Sequence, residues 1–257
     1  MMIDKVPLGQ TGLEVSPLCF GTGTHGWNGR SDQSDLGSDA LPRLLRFAHD
    51  YGITFWDTAD QYGTHAHVAD AMAEIGRDRV TIATKSVSRT AADIEADVER
   101  YLRELRTDYI DILLLHCMSD ANWPQKMRGP MERLDLFKEK GIVRAVGCSC
   151  HDLGALQASA EADWVDVNLV RINYAGQNMC AEPARVQAVI ERMVAEGKGV
   201  YGMKVVGGGG DLTADPEKAI RFVCEHTPVH ALVMGMVSEE QVIENSGLVA
   251  EAVAQSV

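Results

Sequence analysis

Three consecutive apolar runs in this chain lead to side chains that can carry or move a proton. The runs are ITFW, VTIAT and IDILLL, and they are followed by Asp57, Lys85 and His116, with Tyr62 five residues after Asp57. A carboxylate, an ammonium, an imidazole and a phenol around one point form a set that can exchange a proton with a bound molecule. We therefore take an enzyme as the leading hypothesis.

The elements that must position these side chains follow from an alternation of strand and helix patterns, which is typical of an α/β fold. We predict a hairpin at residues 6–8 and 13–15 and a first barrel strand at 16–20. Helices are predicted at 39–50, 65–75, 90–105, 129–140, 152–161, 183–196, 215–226 and 238–254. Eight strand–helix pairs in 257 residues average about 32 residues each, which predicts one (β/α)₈ TIM barrel domain over residues 1–257.

Polar or small residues at the predicted strand ends support this barrel. They are Asp57, Lys85, His116, Ser149, Asn173, Lys204 and Gly235. Such a barrel carries its active site at the carboxyl ends of its strands. The competing fold, a doubly wound open sheet, has G-x-G-x-x-G after its first strand. Here that turn reads Gly21-Thr22-Gly23-Thr24, so Gly21 and Thr22 belong either to a plain tight turn or to a ligand loop.

Composition narrows the class of partner. Hydrophobic residues make up 46%, charged residues 24%, and the net charge is −13. An acidic chain without a basic stripe argues against nucleic acid and against an anionic membrane surface. The six cysteines are scattered, and the N-terminus shows no apolar targeting core, so we expect a cytoplasmic protein with reduced thiols. No second ligand cluster accompanies Cys148-Ser149-Cys150-His151, so we expect no metal.

The segment GITFWDTADQYG, residues 52–63, resembles the aldo-keto reductase signature G-x-x-x-x-D-T-A-x-x-Y. With Lys85 in TIATKS and His116 in LLLHC, the whole catalytic tetrad of that family is present in order. The resemblance implies nicotinamide-dependent reduction of an aldehyde or ketone, or the reverse oxidation. Tyr62 would donate the proton, Lys85 would lower the pKa of Tyr62, and Asp57 would hold Lys85. His116 would polarise the carbonyl.

The resemblance also implies cofactor contacts, some of which this chain changes. The family's Ser-Asn after strand five reads Ser149-Cys150, and the Gln expected in strand six has no match, its nearest candidates being Asn168, Leu169 and Arg171. Met203 stands where an aromatic ring often stacks on the nicotinamide. The following loop, with Lys204, Val206 and Gly208, is expected to approach the pyrophosphate.

Recognition of the cofactor's 2′-phosphate is a further departure. Counting back from Glu244 and Asn245, the positions where a Lys and an Arg are often found are Gly235 and Gln241. No Lys or Arg occurs after Arg221, so NAD is plausible beside NADP.

Two tryptophans in predicted loops, Trp27 and Trp123, are candidates for the substrate pocket, although loop tryptophans are often only packing. Two other functions stay open: a protein that binds the nucleotide as a sensor, and a non-redox lyase or isomerase that uses Tyr62 and Lys85. We expect a small-molecule substrate in each enzymatic case.

Overall fold

Eight parallel strands close into a barrel within residues 4–208 and 210–255, the part of the chain that the computed structural model describes. The (β/α)₈ prediction is therefore confirmed. The barrel strands are β3 Leu18–Gly21, β4 Phe55–Asp57, β5 Thr81–Ser86, β6 Ile110–Met118, β7 Val143–Cys150, β8 Val167–Arg171, β9 Gly199–Met203 and β10 Ala231–Gly235. Each strand pairs with its neighbour in sequence, and β10 closes the ring by pairing with β3.

The helices surround the barrel close to their predicted positions. They are α1 Gly37–Asp50, α2 His65–Ile75, α3 Ala91–Leu105, α4 Trp123–Lys126, α5 Arg128–Glu139, α6 Leu153–Glu161, α7 Pro183–Ala195, α8 Pro216–His226 and α9 Glu239–Gln255. The sequence did not predict α4, a single turn that begins at Trp123 with Pro124 next to it. None of the described helices is long and apolar enough to cross a membrane.

The predicted hairpin is present as β1 Val6–Pro7 and β2 Glu14–Val15, and it closes the amino-terminal end of the barrel. Leu8 and Val15 are fully buried and join the apolar cluster inside the barrel. Backbone bonds fix the hairpin there, since the Gln10 N–H donates to the carbonyl of Gly197. The opposite end of the barrel is left free for a site.

Alternation along each strand decides which side chains reach that end. One apolar cluster fills the barrel, with Phe55, Ala83, Leu114, Leu169 and Tyr201 among its members. A second cluster lies between barrel and helices and contains their sequence neighbours of opposite parity. Successive side chains point to opposite faces of a strand, so only residues of the inner parity can face the barrel axis at its carboxyl end.

Candidate active site

The four proton-handling side chains meet at the carboxyl end of the barrel. Asp57 ends β4, Lys85 lies next to the end of β5, and His116 lies in β6, each with the inner parity of its strand. Tyr62 ends a 3₁₀ turn, Asp60–Tyr62, that follows β4. The Nζ atom of Lys85 lies 4.9 Å from the centroid of the Tyr62 ring. The rings of Tyr62 and His116 meet edge to face at 5.9 Å.

Lys85 and Asp57 form a buried ion pair. Lys85 Nζ donates to Asp57 Oδ1 at 2.5 Å and to the carbonyl of Thr58 at 2.8 Å. The Lys85 side chain is 0% exposed and that of Asp57 6%. Burial is the largest effect on the pKa of Lys85 and lowers it, but the charge and hydrogen bond of Asp57 and the charge of Tyr62 together outweigh burial, so the net shift is upward. The ammonium therefore stays charged beside Tyr62.

A tyrosine that the sequence analysis missed holds the other carboxylate oxygen. The hydroxyl of Tyr201 in β9 donates to Asp57 Oδ2 at 2.8 Å, and the residue is fully buried. Both oxygens of Asp57 thus have a donor, as a buried carboxylate requires. Tyr201 has the same inner parity as Met203, two residues later on β9, and that parity was the available signal.

The pKa of Tyr62 is raised overall, although Lys85 lowers it as the sequence analysis expected. Burial raises this pKa most, and the neighbouring Lys85 charge opposes the shift without cancelling it. The net shift is upward because the loss of water around the phenol, which the sequence does not reveal, outweighs the ammonium. Tyr62 is consequently a protonated phenol throughout the neutral range, which is the form that can donate a proton.

His116 is the second hydrogen-bonding group beside Tyr62. Burial, followed by the charges of Lys85 and other cations, holds the pKa of His116 well below its usual value. Its ring is therefore neutral, with one N–H donor and one acceptor nitrogen. The buried Nδ1 atom has no hydrogen-bond partner among the described residues. A neutral imidazole here can polarise an oxygen without competing with it for the Tyr62 proton.

Two glycines make room for the Tyr62 ring. A Cβ atom on Gly23 would lie 2.2 Å from Tyr62 Cε2, and one on Gly26 would lie 2.4 Å from Tyr62 Cδ1. The loop after β3 therefore packs its bare backbone against the phenol. The backbone N–H of Gly29 donates to the carbonyl of Gln61, which joins this loop to the turn that carries Tyr62. The sequence analysis did not identify this role.

A cleft of about 210 Å³ opens beside Tyr62 and extends over the ends of β3, β8, β9 and β10. Among its walls are six residues that the sequence analysis assigned to a cofactor: Gly21, Met203, Lys204, Val206, Gly208 and Gly235. Asp57 and Tyr62 form its inner end. Two members of the tetrad thus border a cleft whose walls are mostly glycine backbone and apolar side chains.

Comparison with known proteins agrees with this geometry. The aldo/keto reductase family model matches residues 17–218. This chain belongs to the aldo-keto reductase family. It is 32% identical over 167 residues to the aldo-keto reductase YhdN of Bacillus subtilis, an alignment that covers 57% of this chain and 47% of the relative. The matched region thus spans about half the length of this curated relative.

Solved structures share the fold over nearly the whole chain. A protein of Pseudomonas aeruginosa described as an aldo-keto reductase superposes with a TM-score of 0.79 at 25% identity, covering 97% of this chain and 95% of its own. A Klebsiella pneumoniae aldo-keto reductase, solved with NADP and acetate, superposes with a TM-score of 0.74 at 22% identity. That match covers 99% of this chain and 94% of the Klebsiella chain.

Of the two contacts that the family resemblance predicts after β7, the one through Cys150 lies elsewhere in this aldo-keto reductase, whereas Ser149 keeps the inner parity. Cys150 has the outer parity of β7, and its Sγ lies 3.6 Å from Ser159 Oγ and 3.7 Å from Cys148 Sγ, behind the barrel wall. A cofactor contact through the Cys150 side chain is therefore excluded. Ser149 has the inner parity, but its Oγ accepts from the N–H of Cys117 at 2.9 Å. Ser149 thus supports the strained Cys117 backbone, whose φ is +61°.

The three candidates for the missing Gln separate in the same way. Asn168 points outward, and its Nδ2 donates to Ser159 Oγ at 2.9 Å. Leu169 lines the cleft. Arg171 ends β8 with the inner parity, and its Nη2 lies 2.8 Å from His151 Nδ1. The amide of the family pattern is therefore replaced by an apolar wall and a guanidinium.

The remaining cofactor candidates stand at the edges of the cleft. Thr22 is fully buried, and its hydroxyl bonds to the carbonyl of Asp57 at 3.0 Å and to Thr64 at 2.8 Å, so it braces the loop. Gln241 is exposed, and its Oε1 accepts from the N–H of Val237, which completes the start of α9. Glu244 is exposed and Asn245 is buried on the same helix.

The two tryptophans have different surroundings. Trp27 is 53% exposed, in the loop whose glycines pack on Tyr62, so it stays a candidate for the rim of the pocket. Trp123 is only 2% exposed, donates its indole N–H to the carbonyl of Ala155 and packs edge to face on Trp164. The pocket assignment of Trp123 is wrong, because α4 turns its ring into the layer between helices.

Proposed function

We propose that this protein is an NAD(P)-dependent carbonyl reductase in which Tyr62 donates the proton. The observation that carries the proposal is the buried chain of contacts from Tyr201 through Asp57 and Lys85 to the Tyr62 ring. A buried ion pair is seldom a net gain in stability. Its position beneath a protonated phenol in an open cleft is explained by catalysis, since perturbed titratable groups cluster at reactive sites.

The bare backbone and the lysine in the wall of the cleft support a dinucleotide as its ligand. Glycines stand where a side chain would collide with the wall: a Cβ on Gly21 would lie 2.8 Å from Val233, and one on Gly235 would lie 1.9 Å from Thr24 Oγ1. Lys204 lines the same cleft, half-buried, and forms no ion pair with the described side chains. Met203, Lys204, Val206 and Gly208 would hold the cofactor, with Lys204 opposite its pyrophosphate. The solved Klebsiella relative with NADP supports this choice of ligand.

The chain's own residues would supply everything except the hydride, which is the chemistry that a bound nicotinamide contributes. His116 would donate an N–H to the carbonyl oxygen and stabilise the charge that develops there. Tyr62 would then protonate that oxygen. Lys85 would stabilise the phenolate that Tyr62 leaves, and Asp57, held by Tyr201, would keep Lys85 charged. Oxidation of an alcohol would use the same groups in reverse.

The acidic start of α9 favours weak discrimination between the cofactors or a preference for NADH. Glu239 and Glu240 lie in its first turn, where a 2′-phosphate would meet them. Arg43 of α1 lines a shallow groove with these two glutamates and is the cation nearest to them along that groove. Asn245 and the N-terminus of α9 are further donors. A Glu can accept a hydrogen bond from the free 2′-hydroxyl of NADH, as acidic residues do in other dinucleotide sites.

A cofactor titration and a turnover assay test the proposal together. Binding of NADH and NADPH is followed by protein fluorescence, and a panel of aldehydes, ketones and alcohols is assayed with each cofactor. We expect saturable binding and turnover. Cofactor binding without turnover would favour a nucleotide sensor. The absence of both binding and turnover would favour a non-redox enzyme. A preference for NADPH above tenfold in kcat/KM at one ionic strength, unchanged by Glu239→Gln but abolished by Arg43→Gln, would contradict the NADH preference.

A further inference from the structure

An uncompensated group of cations lies on the catalytic face of this acidic protein. Arg171 and Lys204 are both half-buried at the ends of adjacent strands, and no described carboxylate forms an ion pair with either. Arg89, in the loop after β5, donates to the carbonyls of Val87 and His116 and also has no carboxylate partner. A net charge of −13 makes such a local surplus of positive charge unusual.

Arg171 is the least satisfied of these cations. Its only hydrogen bond among the described residues is the one from Nη2 to His151 Nδ1, and its Nε–H is buried without a partner. His151 accepts in that bond and is neutral, because burial and the charge of Arg171 lower the pKa of His151 to about 4. The pKa of Arg171 is also lowered by burial. A partly buried guanidinium without an anion carries a desolvation cost that a bound anion would offset.

The position of Arg171 fixes where such an anion would lie relative to Tyr62. The rings of His116 and His151 are 6.4 Å apart, and His151 contacts both His116 and Arg171. The guanidinium is therefore linked to His116 through one further imidazole ring, whereas Tyr62 contacts His116 directly. Asp152, the residue after His151, is not among the hydrogen-bond partners of Arg171 in the described part of the chain, and its carboxylate accepts from the N–H of Ala155 to cap α6.

We propose that Arg171 binds a carboxylate of the substrate, at the far end of a molecule whose carbonyl reacts between Tyr62 and His116. The Nε–H and an Nη2–H of a guanidinium lie on one edge and match the two oxygens of a carboxylate. Lys204 is close enough to Arg171 for the two charges to repel, and a bound anion would relieve that repulsion. This inference rests on the proposed reduction and names its substrate class: aldehydes or ketones with a carboxylate several bonds from the carbonyl.

The test compares 4-carboxybenzaldehyde with its neutral methyl ester, because a para-substituted ring holds the carboxylate several bonds away from the carbonyl. The wild-type protein should prefer the carboxylate. Arg171→Gln, which keeps an amide but removes the charge, should lower kcat/KM for the carboxylate by roughly 10–100-fold, the range of a lost charged hydrogen bond. The value of kcat/KM for the ester and the affinity for NADPH and NADH should each change less than twofold in this variant. Arg171→Lys should retain part of the preference.

A matched control is Arg103→Gln, which removes an exposed arginine from the last turn of α3. This control should leave kcat/KM unchanged for both the carboxylate and the ester. An equal loss of carboxylate and ester turnover in Arg171→Gln, or a weaker affinity for the cofactor, would overturn the proposal, because Arg171 would then position the cofactor or the fold.

A binding measurement separates failure of this inference from failure of the proposed reduction. Calorimetric titration with 4-(hydroxymethyl)benzoate needs no turnover, and 4-(hydroxymethyl)benzamide is its neutral counterpart. Tight binding of the acid alone, lost in Arg171→Gln, would support the carboxylate site even if no aldehyde were reduced. The proposal would be overturned if the acid did not bind. It would also be overturned if Arg171→Gln left the affinity for the acid unchanged, because the acid would then bind at Tyr62 and His116.

Discussion

The hydroxyl of Tyr201 donates a hydrogen bond of 2.8 Å to Asp57 Oδ2, on the side of the carboxylate opposite Lys85. Both residues are buried in the barrel, so solvent water does not compete for this hydrogen bond. It holds the carboxylate in the orientation in which Oδ1 accepts from Lys85. Asp57 is thus a central group with one buried partner on each oxygen, and Lys85 transmits its position to Tyr62.

Tyr201→Phe removes this donor while keeping the ring. A buried acceptor left without a partner costs about 1–3 kcal/mol, so the free energy of unfolding should fall by that amount in urea titrations. Activity should fall less than in any tetrad variant. Tyr101→Phe is the control, because the Tyr101 hydroxyl is also buried but donates at 3.4 Å to the Lys85 carbonyl rather than to the Asp57 carboxylate. Equal losses in the two variants would argue against a special role for Tyr201.

The ion pair predicts strong coupling between Asp57 and Lys85. Asp57→Asn leaves Lys85 buried without its counter-charge and should destabilise the protein by about 3–5 kcal/mol, besides lowering activity. The double variant Asp57→Asn, Lys85→Met should lose clearly less stability than the two single losses added together. A double-mutant cycle by chemical unfolding measures the difference. Additive losses would mean that solvent already screens the pair.

The lowered pKa values of His116 and His151 predict a loss of stability in acid. Each ring is neutral in the folded protein, whereas the unfolded chain binds a proton below about pH 6.5. The unfolded state therefore binds more protons than the folded state in this range of pH. The free energy of unfolding should consequently fall as the pH drops from about 6.5 towards the pKa of each folded histidine, which is about 4 for His151. His151→Gln should show a shallower decline than wild type between pH 7 and 5 in urea titrations. Parallel curves would contradict the shift.

The glycine contact on Tyr62 predicts that one methyl group disturbs catalysis. Gly23→Ala would place a Cβ inside the Tyr62 ring, so the phenol must move, and we expect kcat to fall by at least tenfold, since misplacement of about 1 Å is that costly. Gly247→Ala is the matched control: its Cβ would meet nothing within 4 Å, in the middle of α9. That control should keep full activity. A fully active Gly23→Ala variant would contradict the prediction, because the loop could then shift without moving the Tyr62 ring.

Periodicity and strand ends were enough to predict the barrel, since the alternating elements can pack in few other ways. Counting alternate residues along each strand would also have predicted which side chains face the barrel axis. Counting from Ser149 places Cys150 on the outer face, and counting back from Met203 places Tyr201 inside. The burial of Tyr62 and the contact with Gly23 depend on how a loop folds over the barrel, which no local pattern determines.

Tyr62→Phe tests the central claim most directly, because it removes one hydroxyl and keeps the ring that packs on Gly23 and His116. Single-turnover reduction of an aldehyde should slow by roughly 10²–10⁴-fold, the usual contribution of a positioned acid. Cofactor affinity and the free energy of unfolding should stay close to wild type. A variant that reduces the aldehyde at a near-normal rate would contradict the assignment of Tyr62 as the proton donor.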